Sequence, residues 1–356
     1  MDENGKGVTF LDLEKFLTEA PLKSGLSGNE ADVAAFMQRQ FEAVCDETHI
    51  DKLYNMTGVM RGEGGGAKIL VCAHLDEIGL IVTKIEDDGS LRLHTIGVDP
   101  RILPSSEVKV LCDPPLFGVI GAKPPHILSA EDRKKNYKRE DLFIDVGLPA
   151  EEVKRRVRVG TLVQLTGPFT RLLNHRAVSK TFDDRACCAM MLMAAEELSR
   201  RKHKADVYFC CSSQEEVGSA GAFTAAYNVD PDMAIAIDVT HAHTPGAKSD
   251  DTHPLDTPCF TMGPNIHPKL FHLLMDEARR IGVKTEISAC SGDTCTDAWS
   301  LQIARAGVPT VLMELPLKYM HTTVELISLD VLREQARLLA SFLASVGEDW
   351  EEKLCF

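Results

Sequence analysis

Between residues 10 and 46 apolar side chains recur every three or four positions. The runs "VTFLDLEKFLTEA" and "NEADVAAFMQRQFEAVC" therefore predict two helices, separated by "SGLSGNE". The next two apolar runs, "IDKLYNMTGVMRG" and "AKILVCAHLDE", flank the glycine-rich "GEGGG" and predict a hairpin or strand pair. That glycine run lacks the Lys-Ser/Thr ending of a phosphate-binding loop, so it reads as a turn.

After about residue 77 the pattern changes. "IGLIVTKI", "SLRLHTIG", "EVKVLC", "LFGVIGA", "LFIDVG" and "TLVQLTG" are short strand-like runs punctuated by Gly, Pro and Asp, which predicts a small β-barrel or sandwich. The charged stretch "SAEDRKKNYKRED" reads as an exposed loop within it. From about residue 173 strands and helices alternate. "DVYFCCSSQ", "DMAIAIDVT", "TEISAC" and "PTVLMELP" are the strands, with helical patterns such as "DDRACCAMMLMAAEELSRR" and "LDVLREQARLLASFLASV" between and after them. This alternation predicts an α/β fold, with a mainly parallel central sheet flanked by helices. The expected organisation is one α/β domain, residues 1–76 and 173–356, interrupted by an inserted β domain over 77–172.

Charge narrows the function. A net charge of −14 argues against a nucleic-acid groove or an anionic membrane surface as partner, and suits a protein that binds cations. "MDENGKGVTF" has no basic and apolar leader pattern, and no apolar run approaches the roughly 18 residues of a membrane helix. The 11 cysteines are odd in number, form no CxxC, and include adjacent pairs in apolar runs, so they are expected to be reduced and buried in a cytoplasmic protein.

In open α/β sheets ligands sit beyond the carboxyl ends of the strands. The predicted strand ends bring His74, Asp76, Asp183-Asp184, Glu215-Glu216, Asp238 and His321 to one edge. Each has an ordinary structural explanation alone: a helix cap for Asp183 or Asp184, a hydrogen-bonded core imidazole for either histidine, a turn for Asp238. Together they form a set of nitrogen and oxygen donors suited to zinc, cobalt or manganese. So many carboxylates in one place call for cations, and two ions roughly 3.5–4 Å apart would meet the need.

These segments resemble a known family. "AHLDEIG", "TFDDRA", "QEEVGSAGA", "AIDVT" and "KYMHTTVE" occur in the order found in metallopeptidase family 42, the tetrahedral, deblocking and glutamyl aminopeptidases, some of whose members were once labelled endoglucanases. The resemblance implies a dizinc-aminopeptidase-like fold and hydrolysis of N-terminal residues from peptides. It implies that His74, Asp183 and Asp238 hold one divalent ion, and that Asp183 bridges to a second held by Glu216 and His321. Asp76 would orient His74, and Glu215 would act as general base. Lys318, His243, Thr296 and Asp297 are expected at the substrate pocket. The inserted domain is expected to carry homo-oligomer contacts, dimers building a dodecamer. The sequence departs from the family at Lys318, usually Arg, and at His241 and His243; no metal ligand is lost.

Two other readings fit less well. A glycosidase needs two carboxyls facing each other about 5–9.5 Å apart and leaves both histidines without a task. A non-catalytic binding scaffold leaves Glu215 without one.

Overall fold

Continuous aliphatic runs with little polar interruption form strands covered on both faces, the pattern of a parallel sheet under helices. Four such strands make the centre of the chain's main sheet: β3 (Lys68–His74), β12 (Asp206–Ser212), β13 (Met233–His241) and β16 (Thr310–Lys318). They run in the order β12-β3-β13-β16, each parallel to its neighbour. The computed structural model describes residues 11–248 and 252–354. The start of the first predicted helix and the segment "MDENGKGVTF" lie outside the described residues.

The flanks of the sheet are antiparallel. On one side lie β2 (Met56–Met60) and β1 (Glu47–Ile50). On the other lie β17 (Glu325–Ser328), β11 (Arg176–Ser179) and β10 (Thr170–Arg171). β14 (Cys259–Met262) also pairs with β16 and carries β15 (Glu286–Ala289) outward. The expected hairpin between β2 and β3 does not form, because β12 lies between them and pairs with both. The glycine run makes room for that insertion. A Cβ on Gly62 would sit 2.2 Å from the Lys204 carbonyl oxygen, and one on Gly66 would sit 2.4 Å from the Lys204 carbonyl carbon.

Helix α4 (Phe182–Leu198) packs on β3 and β13 together with α8 (Leu329–Ser345), with α1 (Leu13–Glu19) beside it. α5 (Ala220–Val229) and α7 (Asp297–Gln302) pack together against β12, β3, β13 and β16. α2 (Ala31–Phe41) covers β1 and β2, and α6 (Pro268–Ile281) joins α8 and α9 (Trp350–Leu354). Among the described residues no helix is long and apolar enough to cross a membrane.

The chain leaves this sheet after β3 and builds a closed six-stranded barrel. Its strands are β4 (Gly79–Ile85), β5 (Leu91–Ile96), β6 (Glu107–Val110), β7 (Leu116–Ala122), β8 (Leu142–Asp145) and β9 (Leu162–Leu165), in the order β4-β5-β8-β7-β6-β9. Leu80, Leu91, Val108, Ile144 and Val163 fill it as a core separate from that of the main sheet. One helix, α3 (Ala150–Arg156), interrupts the expected all-β pattern; it docks through Val153 alone, too weak a periodicity to read from sequence.

A buried cation ties the pieces together. The Arg185 guanidinium, at the start of α4, donates to the carbonyls of Leu75 (3.0 Å), Ala20 (2.8 Å) and Lys23 (2.9 Å), and to Glu77 (3.1 Å). Glu77 also pairs with the buried Lys180. Burying such charges is tolerable only because every one is matched.

Candidate metal centre

The carboxyl ends of the four parallel strands gather the polar residues. β3 ends at His74, and Asp76 follows on the crossover into the barrel. Beyond β12, Gln214 takes a left-handed turn (φ 58°), so Glu215 and Glu216 enter a single 3-10 turn instead of continuing the strand. Two adjacent glutamates can then point differently. Asp183 and Asp184 precede the regular part of α4, with backbone angles outside the helical range. His321 follows β16 in a left-handed conformation (φ 59°).

Asp183 sits at the middle. Its Oδ1 lies 3.0 Å from His74 Nε2 and its Oδ2 lies 3.3 Å from His321 Nε2. His321 Nε2 is also 3.5 Å from Glu216 Oε2. Two sets of possible ligand atoms result, His74-Asp183-Asp238 and Asp183-Glu216-His321, with the atoms of each set within 4.8 Å of one another. Asp183 belongs to both. Two imidazole nitrogens and several carboxylate oxygens are a donor set that fits divalent zinc, cobalt or manganese.

The surroundings fix these groups. Asp76, fully buried, accepts from the backbone N–H of Glu215 (3.0 Å) and of Glu216 (3.3 Å), and from the Ser27 hydroxyl (2.6 Å). It also stands 3.5 Å from His74 Nδ1, so one carboxylate faces an imidazole while it holds the glutamate turn. Asp184 accepts from the His74 N–H at 3.1 Å. Glu325 accepts from the N–H groups of Asp183 (3.1 Å) and His321 (3.0 Å). His321 Nδ1 lies 2.9 Å from the Gly97 carbonyl, an oxygen that only accepts, so Nδ1 carries a proton and Nε2 is the nitrogen turned toward Asp183 and Glu216.

Crowded acids distort one another's protonation. Burial, reinforced by neighbouring carboxylates, pushes Glu215 and Glu216 each up to about 8. Burial and the charge of Asp184 raise Asp238 well above the usual range. Burial also works to raise Asp183, but the two imidazoles outweigh it and hold the carboxyl below its ordinary range. His321 shows the converse: burial opposes its charge, yet Asp183, Glu216 and Glu325 lift it to about 10. Protons here occupy places that cations would take.

A cavity of about 570 Å³ opens over this centre. Thr296 lines it while its hydroxyl caps α7. The other residues expected at the pocket lie off its wall. Asp297, one position on, turns inward and accepts from Ser212 in the core. Lys318 pairs with Leu326 at the end of β16 and does not reach the cavity, and His243 bonds Thr252 at 2.6 Å beyond the end of β13. His241 lines the cavity instead. Glu325 and Gly97 were not singled out from sequence. Glu325 lay within a recognised motif, four positions after His321, whereas a backbone carbonyl from the barrel gives no sequence signal.

The M42 glutamyl aminopeptidase family matches residues 55–338 of the chain. The chain belongs to the M42 family. It is an aminopeptidase, a hydrolase of a family that uses divalent metal. A lysyl aminopeptidase of Pyrococcus furiosus is 35% identical over 322 residues, covering 88% of this chain and 91% of the relative. A TET aminopeptidase from a marine sediment archaeon, Thaumarchaeota archaeon SCGC AB-539-E09, superposes with a TM-score of 0.91 at 30% identity, over 96% of this chain and 99% of that one. The Pyrococcus horikoshii TET1 peptidase, described as assembling into a tetrahedron or a large octahedral shell, aligns with a TM-score of 0.82 at 27% identity, over 94% and 100%. The M42 fold is thus shared along nearly the whole chain, barrel included.

Proposed function

We propose that this aminopeptidase is dinuclear, with His74, Asp183 and Asp238 holding one divalent ion and Asp183, Glu216 and His321 the other. One observation carries the reading: the two oxygens of Asp183 face different imidazoles, in two overlapping ligand sets. Zinc or cobalt, or manganese, in those positions supplies Lewis-acid chemistry, lowering the pKa of water and polarising a carbonyl oxygen.

The chain's own groups do the rest. Glu215 belongs to neither ligand set, yet its carboxylate lies 3.9 Å from His74 Nε2. It takes a proton from water as the water oxygen attacks the first peptide carbonyl of the substrate. It returns that proton to the amine nitrogen as the C–N bond breaks. Asp76 holds Glu215 and Glu216 by their backbones, so the base and a ligand move as one unit.

The barrel, within an inserted domain over residues 77–172, is proposed to carry assembly contacts, dimers building a dodecamer. Phe117 and Ile127 stand 74% and 70% exposed on it, and its relatives include a shell-forming peptidase. Ten cysteines, all without disulfides among the described residues, suit a reducing cytoplasm.

The test is metal dependence. Exhaustive chelation should abolish cleavage of aminoacyl-anilides, and zinc or cobalt should restore it with two ions bound per chain. Turnover that survives chelation, or saturation at one ion, would overturn the dinuclear reading.

A further inference from the structure

The family description names a glutamyl activity and the Pyrococcus furiosus relative a lysyl one, so membership leaves the sign of the preferred side chain open. The cavity wall decides it. Among the described residues, beyond the two ligand sets and Glu215, two carboxylates line the cavity, Glu314 and Asp293, and none of the lining residues is lysine or arginine. Its imidazoles are His321, which belongs to a ligand set, and the exposed His241. An acidic substrate side chain would enter among like charges with no fixed cation to meet it. A basic one would find the opposite.

Glu314 is placed to receive it. β13 and β16 are parallel neighbours with Asp238 in register with Glu314, so the ligand aspartate and this glutamate stand on adjacent strands about 4.8 Å apart. Glu314 is 8% exposed. Thr261 donates to its Oε2, which fixes the carboxylate at the cavity wall. Burial pushes its carboxyl up to about 7, against the pull of the hydrogen bonds from Thr261, Cys259 and Thr240; an arriving ammonium or guanidinium would hold it ionised. Val239, Trp299 and Met320 line the same cavity and offer apolar surface to the methylene stem of a long side chain. Asp293, on the exposed loop before α7, adds negative charge at the wall.

We propose that the cavity selects peptides with a basic N-terminal residue, lysine or arginine, and that Glu314 is the residue that pairs with its cation. This rests on the proposed metal centre as the place where the scissile bond lies.

The experiment is a panel of Lys-, Arg-, Leu- and Glu-anilides with metal-loaded protein, repeated with Glu314→Gln, which keeps an acceptor for Thr261. The expected result is the highest kcat/KM for Lys and Arg, with the Lys-to-Leu ratio falling by about 10-fold or more in the variant. Free lysine inhibiting the unmodified protein at lower concentration than free leucine or glutamate would support the assignment independently of how well the variant folds. Preference for Leu or Glu, or a Lys-to-Leu ratio unchanged in a folded Glu314→Gln protein, would overturn it while leaving the metal centre standing. Cleavage of the panel by chelated protein would strike the metal centre instead, and the pocket built on it.

Discussion

The imidazole of His321 is held by the backbone carbonyl of Gly97, at 2.9 Å, across 224 positions of sequence. One comes from the loop after β16 and the other from the end of a barrel strand. The barrel therefore reaches into the candidate metal centre and sets the orientation of one of its candidate ligands.

Gly97 has no room for a side chain. Its φ is 69°, and a Cβ there would lie 2.5 Å from Ile78 and 3.2 Å from Glu216 Oε2. Gly97→Ala should therefore disturb both His321 and Glu216, weakening metal affinity by about 10–100-fold. Zinc titration calorimetry checks this; unaltered affinity would show that the barrel contact is passive.

Glu215→Gln removes the proposed base while keeping its shape, and leaves both ligand sets intact. Turnover should fall by about 10²–10⁴-fold, while bound metal per chain stays the same. Parallel kinetics and elemental analysis separate the two effects. Loss of metal along with activity would mean that Glu215 is a ligand.

The metal-free protein should become less stable as pH rises. Glu215 and Glu216, raised from 4.5 to about 8, bind more protons folded than unfolded, so stability declines through that window. His321, raised from 6.5 to about 10, adds stability that is full below 6.5 and lost progressively as pH rises toward 10. The depressed Asp183 acts oppositely, but only in acid, below its ordinary 3.8. A falling Tm between pH 5 and 8 is expected, and added zinc should flatten or reverse it because metal needs deprotonated ligands. A metal-free Tm that climbs across this range would contradict the assignment.

Light scattering should give a mass near twelve times 39.1 kDa. Charged substitutions at Phe117 and Ile127 should reduce it, since both are exposed apolar side chains on the barrel. A 39.1 kDa particle from the unmodified chain would remove the assembly proposal.

The centre of the fold was readable because parallel strands buried on both faces leave uninterrupted aliphatic runs, as in β3 and β13. The error at β2 and β3 came from long-range pairing: only the arrival of β12, some 130 residues later, separates them. The candidate ligand residues could be picked out because each stands at a strand or helix end within a recognisable motif. The pocket was not, because it depends on where single side chains turn. His241 reaches the cavity but His243, two positions on, bonds Thr252. Glu314 looked like an ordinary member of a buried strand until its register with Asp238 placed it beside the centre.

Arg185 gives the kinship match a limit. Its guanidinium, two residues past Asp183, is satisfied partly by the carbonyls of Ala20 and Lys23, upstream of the 55–338 span that the family shares. A fragment trimmed to that span would keep the pairing with Glu77 but strip the guanidinium Nη1 of both its carbonyl acceptors, at the start of the helix that carries Asp183. The stretch matched by the family model is therefore narrower than the set of residues that satisfies this buried guanidinium.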